Sequence, residues 1–80
     1  MKVRLLRRAS KDLLALGPQE RTRVLAKLKG LESSPFSFDV KKLTSGQDYR
    51  LRVGDHRILF VIEGDLIIVV RIAHRREIYR

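Results

Sequence analysis

Two Gly-Asp dipeptides, Gly54-Asp55 and Gly64-Asp65, divide the second half of the chain into three segments. These segments, residues 49–53, 57–62 and 66–72, are rich in the β-branched and aromatic residues that favour strands. A glycine at the first position of a two-residue loop suits a type II′ turn, which joins antiparallel strands. The pattern therefore predicts a three-stranded antiparallel meander, with its first hairpin turning at Gly54-Asp55.

The second hairpin admits two registers, which differ in the face on which Arg71 lies. A two-residue loop at Gly64-Asp65 puts Arg71 on the core side, because a shift of one residue reverses every side chain of a strand. A three-residue loop over residues 63–65 instead sends four apolar residues to the core: Leu66, Ile68, Val70 and Ile72. We expect the three-residue loop, since it buries four apolar residues rather than two and leaves no unpaired charge in the core.

The first half of the chain predicts a short strand followed by a helical hairpin. Residues 2–7 alternate weakly between apolar and basic side chains, as a short strand with Val3 and Leu5 on one face would. Ser10 is expected to cap the first helix at its N-terminus, and Gly17 to end it in the left-handed conformation. Pro18 then suits the first position of the second helix.

The second helix has an apolar stripe and a basic face. Its apolar residues recur at intervals of three and four positions: Val24, Leu25, Leu28 and Leu31. Its basic residues are expected on the solvated side: Arg21, Arg23, Lys27 and Lys29. Residues 33–47 are expected to form a loop. Together these elements predict a single α+β domain over residues 1–80, with an N-terminal strand and a helical hairpin packed on one face of a mostly antiparallel four-stranded sheet.

The charge balance indicates a polyanionic partner. Eighteen Lys and Arg against nine Asp and Glu give a net charge of +9 and a pI near 10.9, which is typical of a nucleic-acid-binding domain. An acidic partner protein would suit the same surface. The chain has no Cys and two His, so we expect no disulfide, no metal site and no cofactor. No apolar run is long enough for a membrane span, and we expect a cytoplasmic protein without a membrane partner.

Three arginines converge on one face of the predicted meander. The Gly54-Asp55 loop pairs Arg52 with Arg57 and leaves Arg50 on the same face. The residues that alternate with them are expected to face the helices: Tyr49, Leu51, Val53, Ile58, Phe60 and Ile62. Like charges directly opposed across strands destabilise a sheet, so the cluster predicts a site for a bound polyanion. The alternative is an ordinary solvated face on which Glu63 or an aspartate relieves the repulsion.

The last eight residues carry several groups of the kind that cleave RNA. Cleavage of RNA through its own 2′-hydroxyl needs a base, an acid for the leaving 5′-oxygen and cations for the phosphorane. His74, Glu77, Tyr79 and the arginines beside them are of the right chemical kinds. Their spacing is not diagnostic by itself, because an exposed His and an edge-packed Tyr are the commoner roles of such residues.

The segments YRLRVGDHRILF (residues 49–60) and VRIAHRREIY (residues 70–79), behind a strand and a helical hairpin, resemble the RelE branch of the RelE/ParE toxin superfamily. The resemblance implies a microbial-ribonuclease-like fold. It also implies a type II toxin that acts as a ribosome-dependent endoribonuclease and cleaves mRNA in the ribosomal A site. The partners that it implies are the ribosome, mRNA and a cognate acidic antitoxin.

The resemblance further implies catalytic roles. Arg57 falls on the phosphate-stabilising arginine of the family, and either Arg75 or Arg76 falls on a second catalytic arginine. Tyr79 falls on the tyrosine that is proposed to take the 2′-hydroxyl proton, which requires neighbouring arginines to lower the pKa of the phenol. His74 is an alternative base, because imidazole titrates near neutrality without help.

The remaining arginines are expected to bind phosphates. Arg50 and Arg52 fall where RelE-type enzymes place a pair of lysines. Because arginine does not readily lose its proton, these two residues are expected to neutralise phosphates rather than to act as general acids. We expect Arg71 and Arg76 to assist them.

Two other functions stay open. A ParE-like toxin would inhibit DNA gyrase by binding, with no nuclease chemistry, and a degenerate toxin-like module would bind RNA or an acidic partner without cutting. The replacement of the lysine pair by arginines keeps the second alternative open. An apolar patch beside the arginines is expected to be covered by an antitoxin. Its expected members are Leu59, Val61, Ile67 and Val69.

Overall fold

The computed structural model describes residues 1–33, 40–42 and 48–74. The described residues form the elements β1 (Lys2–Leu5), α1 (Arg7–Ala15), α2 (Pro18–Ser33), β2 (Val40–Lys42), β3 (Asp48–Val53), β4 (His56–Glu63) and β5 (Leu66–His74). The strands make one sheet in the order β1-β5-β4-β3-β2. β1 runs parallel to β5, and the other neighbouring pairs are antiparallel. The predicted α+β class and the mostly antiparallel sheet are confirmed.

β2 is the departure from the predicted four-stranded sheet. The sequence predicts a loop over residues 33–47, yet Val40–Lys42 pairs antiparallel with β3 and places Val40 opposite Leu51. Without β2, β3 would present a row of unpaired backbone N–H and C=O groups at the edge of the sheet. A strand of three residues is too short for its alternation to be recognised in the sequence.

The two helices cover one face of the sheet and bury a single apolar core beneath them. The core residues are Ala9, Val24, Leu28, Leu31, Leu51, Val53, Ile58, Phe60, Ile67, Val69 and Ile72. Leu13 packs against this core while partly buried, as do Val3 and Leu5 of β1. The predicted stripe of α2 is confirmed at three positions, whereas Leu25 is 47% exposed.

α1 begins earlier than the sequence predicts. Its N-cap is Leu6, whose side chain makes no capping hydrogen bond. Ser10 lies inside the helix and donates its backbone N–H to Leu6 O at 2.9 Å, so its prediction as the N-cap is wrong. The Leu6 N–H donates to Val69 O at 3.0 Å. Pairing with β5 therefore fixes where the chain leaves the strand, and this outweighs the local capping preference of Ser10.

The junction between the helices does not use a left-handed Gly17. Among the described residues, positive φ occurs at the glycines of the two Gly-Asp turns, so this prediction is wrong. Arg21 closes α1 instead, because its Nη2 donates to the carbonyls of Leu14 at 3.2 Å and Leu16 at 3.0 Å, and a cation is favourable at a helix C-terminus. Arg21 is therefore half-buried rather than solvated. Pro18 starts α2 as predicted.

β3 and β4 form the predicted hairpin in the predicted register. Gly54 has a φ of +60° and Asp55 has no positive φ, which is the combination of a type II′ turn. Val53 lies opposite His56. The register also brings Tyr49 opposite Phe60, and their rings stack with centroids 5.5 Å apart.

The second hairpin contains both of the alternative registers. It turns through two residues, with Glu63 opposite Leu66, so the predicted three-residue loop is wrong. Ile67 and Val69, rather than Ile68 and Val70, are buried beneath the helices. A β-bulge then shifts the pairing: Phe60 lies opposite Val69, whereas Leu59 lies opposite Arg71. Beyond the bulge Ile72 faces the core, whereas a two-residue loop without a bulge would have turned it to the opposite face.

Candidate nucleic-acid interface

The strand register gathers four predicted phosphate-binding or catalytic arginines on the sheet face away from the helices. The four are Arg50 and Arg52 on β3, Arg57 on β4 and Arg71 on β5. They share this face because the residues that alternate with them along the strands are buried beneath the helices. Arg52 lies directly opposite Arg57. Arg50 and Arg71 both lie opposite Leu59, one on each side of it. Arg71 reaches this face because of the β-bulge, not because of the loop that the sequence predicts.

These arginines differ in exposure and therefore in what they can do for a phosphate. Arg52 is exposed and Arg50 is half-buried, whereas Arg57 is only 8% exposed. The Nη1 atom of Arg57 donates to the carbonyl of His56 at 3.3 Å. A buried guanidinium needs such partners, and they hold it in one orientation. Arg57 is thus suited to stabilise charge that develops at a fixed point, and Arg52 to attract a phosphate from solvent.

Arg71 is held by a carboxylate that the sequence analysis missed. Asp12 of α1 lies with its Oδ2 3.4 Å from Arg71 Nε, and the same oxygen accepts the backbone N–H of Ile72 at 3.0 Å. Its Oδ1 accepts from Arg8 Nε at 3.2 Å. The spacing of Arg8 and Asp12, four residues apart, is the one signal in the sequence for part of this cluster. Nothing local connects Asp12 with Arg71.

His74 lies on the other side of the sheet from Arg57. It pairs with His56, which pairs with Val53 on the helix-covered face. The two imidazole rings meet edge to face with centroids 5.6 Å apart. His56 also lines a cavity of about 150 Å³ together with Glu20 and Arg23 of α2. The register therefore separates His74 from the arginine face.

The other predicted tail residues lie outside the described residues. These are Arg75, Arg76 and Tyr79, together with Glu77. Their roles stay predictions.

The basic face of α2 extends toward the arginines of the sheet. Arg23 and Lys27 line one shallow depression of about 520 Å³ together with Arg52 and Gly54. Arg23 Nη1 lies 3.7 Å from the point where a Cβ on Gly54 would stand. The spacing of basic residues along α2 predicted its basic face. The proximity of that face to Arg52 could not be predicted, because it depends on how α2 crosses the end of β3.

The predicted apolar patch is smaller than expected. Leu59 and Val61 lie on the arginine face and are partly exposed, whereas Ile67 and Val69 are fully buried in the core. The prediction for the latter two is wrong because the second hairpin turns through two residues. Val70, displaced by the bulge and 36% exposed, joins Leu59 and Val61 around a depression of about 110 Å³.

The described part of the chain has neither a cluster of metal-binding side chains nor a helix able to span a membrane. Within residues 1–33, 40–42 and 48–74, no three or more His, Asp or Glu side chains are grouped so that they could hold a metal ion. In the same residues, neither helix combines the length and the apolar character that crossing a bilayer requires.

Comparison with known proteins identifies the family. A family model described as the ParE toxin of type II toxin–antitoxin systems matches residues 3–79. Toxin RelE3 of Methanocaldococcus jannaschii is 33% identical over 84 residues, which cover 99% of this chain and 96% of the relative. This chain belongs to the RelE/ParE toxin superfamily, in its RelE-like branch. The resemblance predicted from the hairpin and tail segments is confirmed.

Solved RelE structures have the same fold as this RelE-like chain. The RelB–RelE antitoxin–toxin complex from Methanococcus jannaschii contains a chain that is 30% identical, with a TM-score of 0.81 over 94% of this chain and 93% of that one. The archaeal RelE–RelB complex from Pyrococcus horikoshii gives 28% identity and a TM-score of 0.80, over 92% of this chain and 93% of that one.

Proposed function

We propose that this RelE-like toxin is a ribosome-dependent endoribonuclease that cleaves mRNA in the A site. The observation that carries the proposal is the cluster of Arg50, Arg52 and Arg57 on the sheet face away from the helices. Like charges directly opposed across strands repel each other, and a bound phosphate backbone would offset that repulsion. The toxin family and the net charge of +9 support the same reading.

In the proposed reaction the 2′-hydroxyl oxygen attacks the adjacent phosphorus and the bond to the 5′-oxygen breaks. A base takes the 2′-hydroxyl proton, and the leaving 5′-oxygen gains one, so that a cyclic phosphate and a 5′-hydroxyl result. Arg57, buried and fixed, stabilises the phosphorane, while Arg50 and Arg52 hold the flanking phosphates. Arg75 or Arg76 supplies the second catalytic cation.

Tyr79 is the base that we favour. His74, the alternative, lies on the helix-covered face next to His56, whereas the base must reach the same phosphate as Arg57. A tyrosine can accept a proton only as the phenolate, and nearby cations increase the phenolate fraction near neutral pH by lowering the pKa of the phenol. The arginines of this site would supply those cations.

The proposed partner is an acidic antitoxin. Relatives of this chain have been solved as complexes of RelE with RelB. On this chain an acidic antitoxin would neutralise the arginine cluster and cover the patch of Leu59, Val61 and Val70, and would thereby block RNA by competition.

The test is cleavage of mRNA on programmed ribosomes. We expect new 5′ ends inside the A-site codon and no cleavage of naked RNA. Arg57→Ala should lower the rate by more than tenfold, because loss of one preorganised donor commonly costs about 2.7–4 kcal/mol of transition-state stabilisation. Lys11→Ala, which removes an exposed cation from α1, is the matched control and should cleave normally. Full activity of Arg57→Ala would remove Arg57 from the mechanism.

A second candidate is inhibition of DNA gyrase without cleavage, and the match to the ParE toxin model favours keeping it. It predicts loss of supercoiling activity when purified toxin is added to gyrase, with ribosome-bound mRNA left intact. Cleavage of mRNA in the ribosome assay, together with undiminished supercoiling by gyrase in the presence of the toxin, would exclude it.

A further inference from the structure

We propose that Asp12 is a positioning residue that stabilises the bulge of β5. It thereby sets the register of the strand beyond the bulge, which determines the sheet face on which Arg71 and the following residues of β5 lie. The effect on catalysis rests on the proposed nuclease function. The effect on the strand does not.

β1 ends beside Val69, at the outer edge of β5. β1 pairs with β5 through Leu5 and Val69, and the Val69 carbonyl accepts the N–H of Leu6 at 3.0 Å. In a regular strand the next N–H on this edge is that of Arg71, two residues later. The N–H found there is that of Ile72, and its acceptor is Asp12 Oδ2 at 3.0 Å. Asp12 therefore accepts a backbone N–H that is shifted by one residue from the alternation that β5 follows beside β1.

Asp12 also stabilises the side chain that this phase shift exposes. Its side chain is 12% exposed, and Arg71, 29% exposed, lies 3.4 Å away. Without the bulge Arg71 would lie opposite Ile58 and point into the core, where an unpaired guanidinium is costly. A bulge loses ladder pairing. Asp12 offsets that loss with one hydrogen bond to the backbone and one ion pair to Arg71.

The functional consequence follows from the order of residues along the chain. A slip of one residue reverses all side chains beyond it, so loss of the bulge would exchange the faces of Arg71 and Ile72 and would turn His74 over. The proposed catalytic residues Arg75, Arg76 and Tyr79 follow His74 directly. We therefore expect Asp12, through the strand that leads to these residues, to affect the rate of the proposed cleavage.

The experiment compares Asp12→Ala with Asp12→Asn, which keeps an oxygen acceptor but loses the charge. Amide hydrogen exchange by NMR should show a protected Ile72 N–H in the wild type and in Asp12→Asn, and an unprotected one in Asp12→Ala. The cross-strand contact between Leu59 and Arg71 should disappear in Asp12→Ala. Glu32→Ala removes an exposed carboxylate from α2 and is the control for net charge. It should leave both signals unchanged.

In the ribosome assay Asp12→Ala should lose about 100-fold in kcat with little change in KM, since small misplacements of catalytic groups cost this much. Asp12→Asn should recover most of the rate. Protection of Ile72 in Asp12→Ala, or equal impairment of the two variants, would overturn the proposal. If Asp12→Ala does not fold, an unprotected Ile72 amide in the wild type or in Asp12→Asn overturns it equally. A wild type that never cleaves mRNA would refute the nuclease function, while the amide data still decide the role of Asp12.

Discussion

Arg57 and Arg52 stand opposite each other, yet their surroundings give them different chemistry. Arg57 is 8% exposed and donates to a backbone carbonyl, whereas Arg52 extends into solvent. A donor that is already oriented needs little free energy for reorganisation when charge develops in the transition state. A solvated one is screened by salt and contributes to encounter more than to the barrier. The arginine cluster therefore offers a phosphate two kinds of contact, one buried and oriented and one exposed to solvent.

The proton acceptor can be identified by a pair of substitutions. Tyr79→Phe should abolish cleavage with little loss of ribosome affinity, because it removes a group that acts in the transition state. His74→Ala should have a milder effect, since His74 lies against His56 on the opposite face. Single-turnover cleavage and ribosome binding, measured side by side, separate the two effects. The reverse ranking would transfer the role of base to His74.

At the scale of elements, the two Gly-Asp turns offer a matched comparison. Gly54 and Gly64 have φ of +60° and +59°, and a sparsely populated backbone conformation of this kind costs an L-residue about 1–3 kcal/mol. We expect Gly54→Ala and Gly64→Ala each to lower the free energy of unfolding by about that amount, measured by urea denaturation. A Cβ would have open space at Gly64 and ordinary contact with Arg23 at Gly54, so the two costs should agree. A near-zero cost at either site would show that its turn relaxes.

The β3–β4 hairpin was predictable from sequence because everything that defines it is local. A glycine in the turn sets the loop length, and the loop length sets the register of Arg52, Arg57 and the apolar residues between them. The same reasoning failed for β5. The alternation of buried and outward-facing residues in β5 shifts by one residue at Val70. Asp12, which supports this shift, lies far away in the sequence. No periodicity within β5 carries that information.

In the helix ends and in the candidate site, too, the features set by local sequence were predictable and those set by tertiary contacts were not. Pro18 acts through its own fixed φ, so its place at the start of α2 was predictable. Ser10 and Gly17 were outweighed by Val69 and Arg21, which are tertiary partners. The grouping of Arg50, Arg52 and Arg57 on one face followed from alternation alone, whereas Arg71 joins them through the bulge. Their burial and the contact of Arg71 with Asp12 did not, because both depend on what packs beside them.

At the scale of the whole molecule, the net charge of +9 and the patch of Leu59, Val61 and Val70 should contribute differently to antitoxin binding. Val61→Asp should weaken binding even at high salt, since burial of apolar surface is not screened. Arg52→Ala should act mainly by slowing association at low salt. Association and dissociation rates at two salt concentrations test this. Normal binding by a folded Val61→Asp protein would mean that the antitoxin docks elsewhere.

β1 runs parallel to β5, its neighbour in the described sheet. During translation β1 is made before the other described elements, and β5 after them. Lys2 must wait for Leu66, and Leu5 for Val69, before either can pair. Such distant pairing is also slow to form once both strands exist. A nascent chain therefore lacks the finished sheet, and the arginine face that depends on it, until synthesis has passed β5.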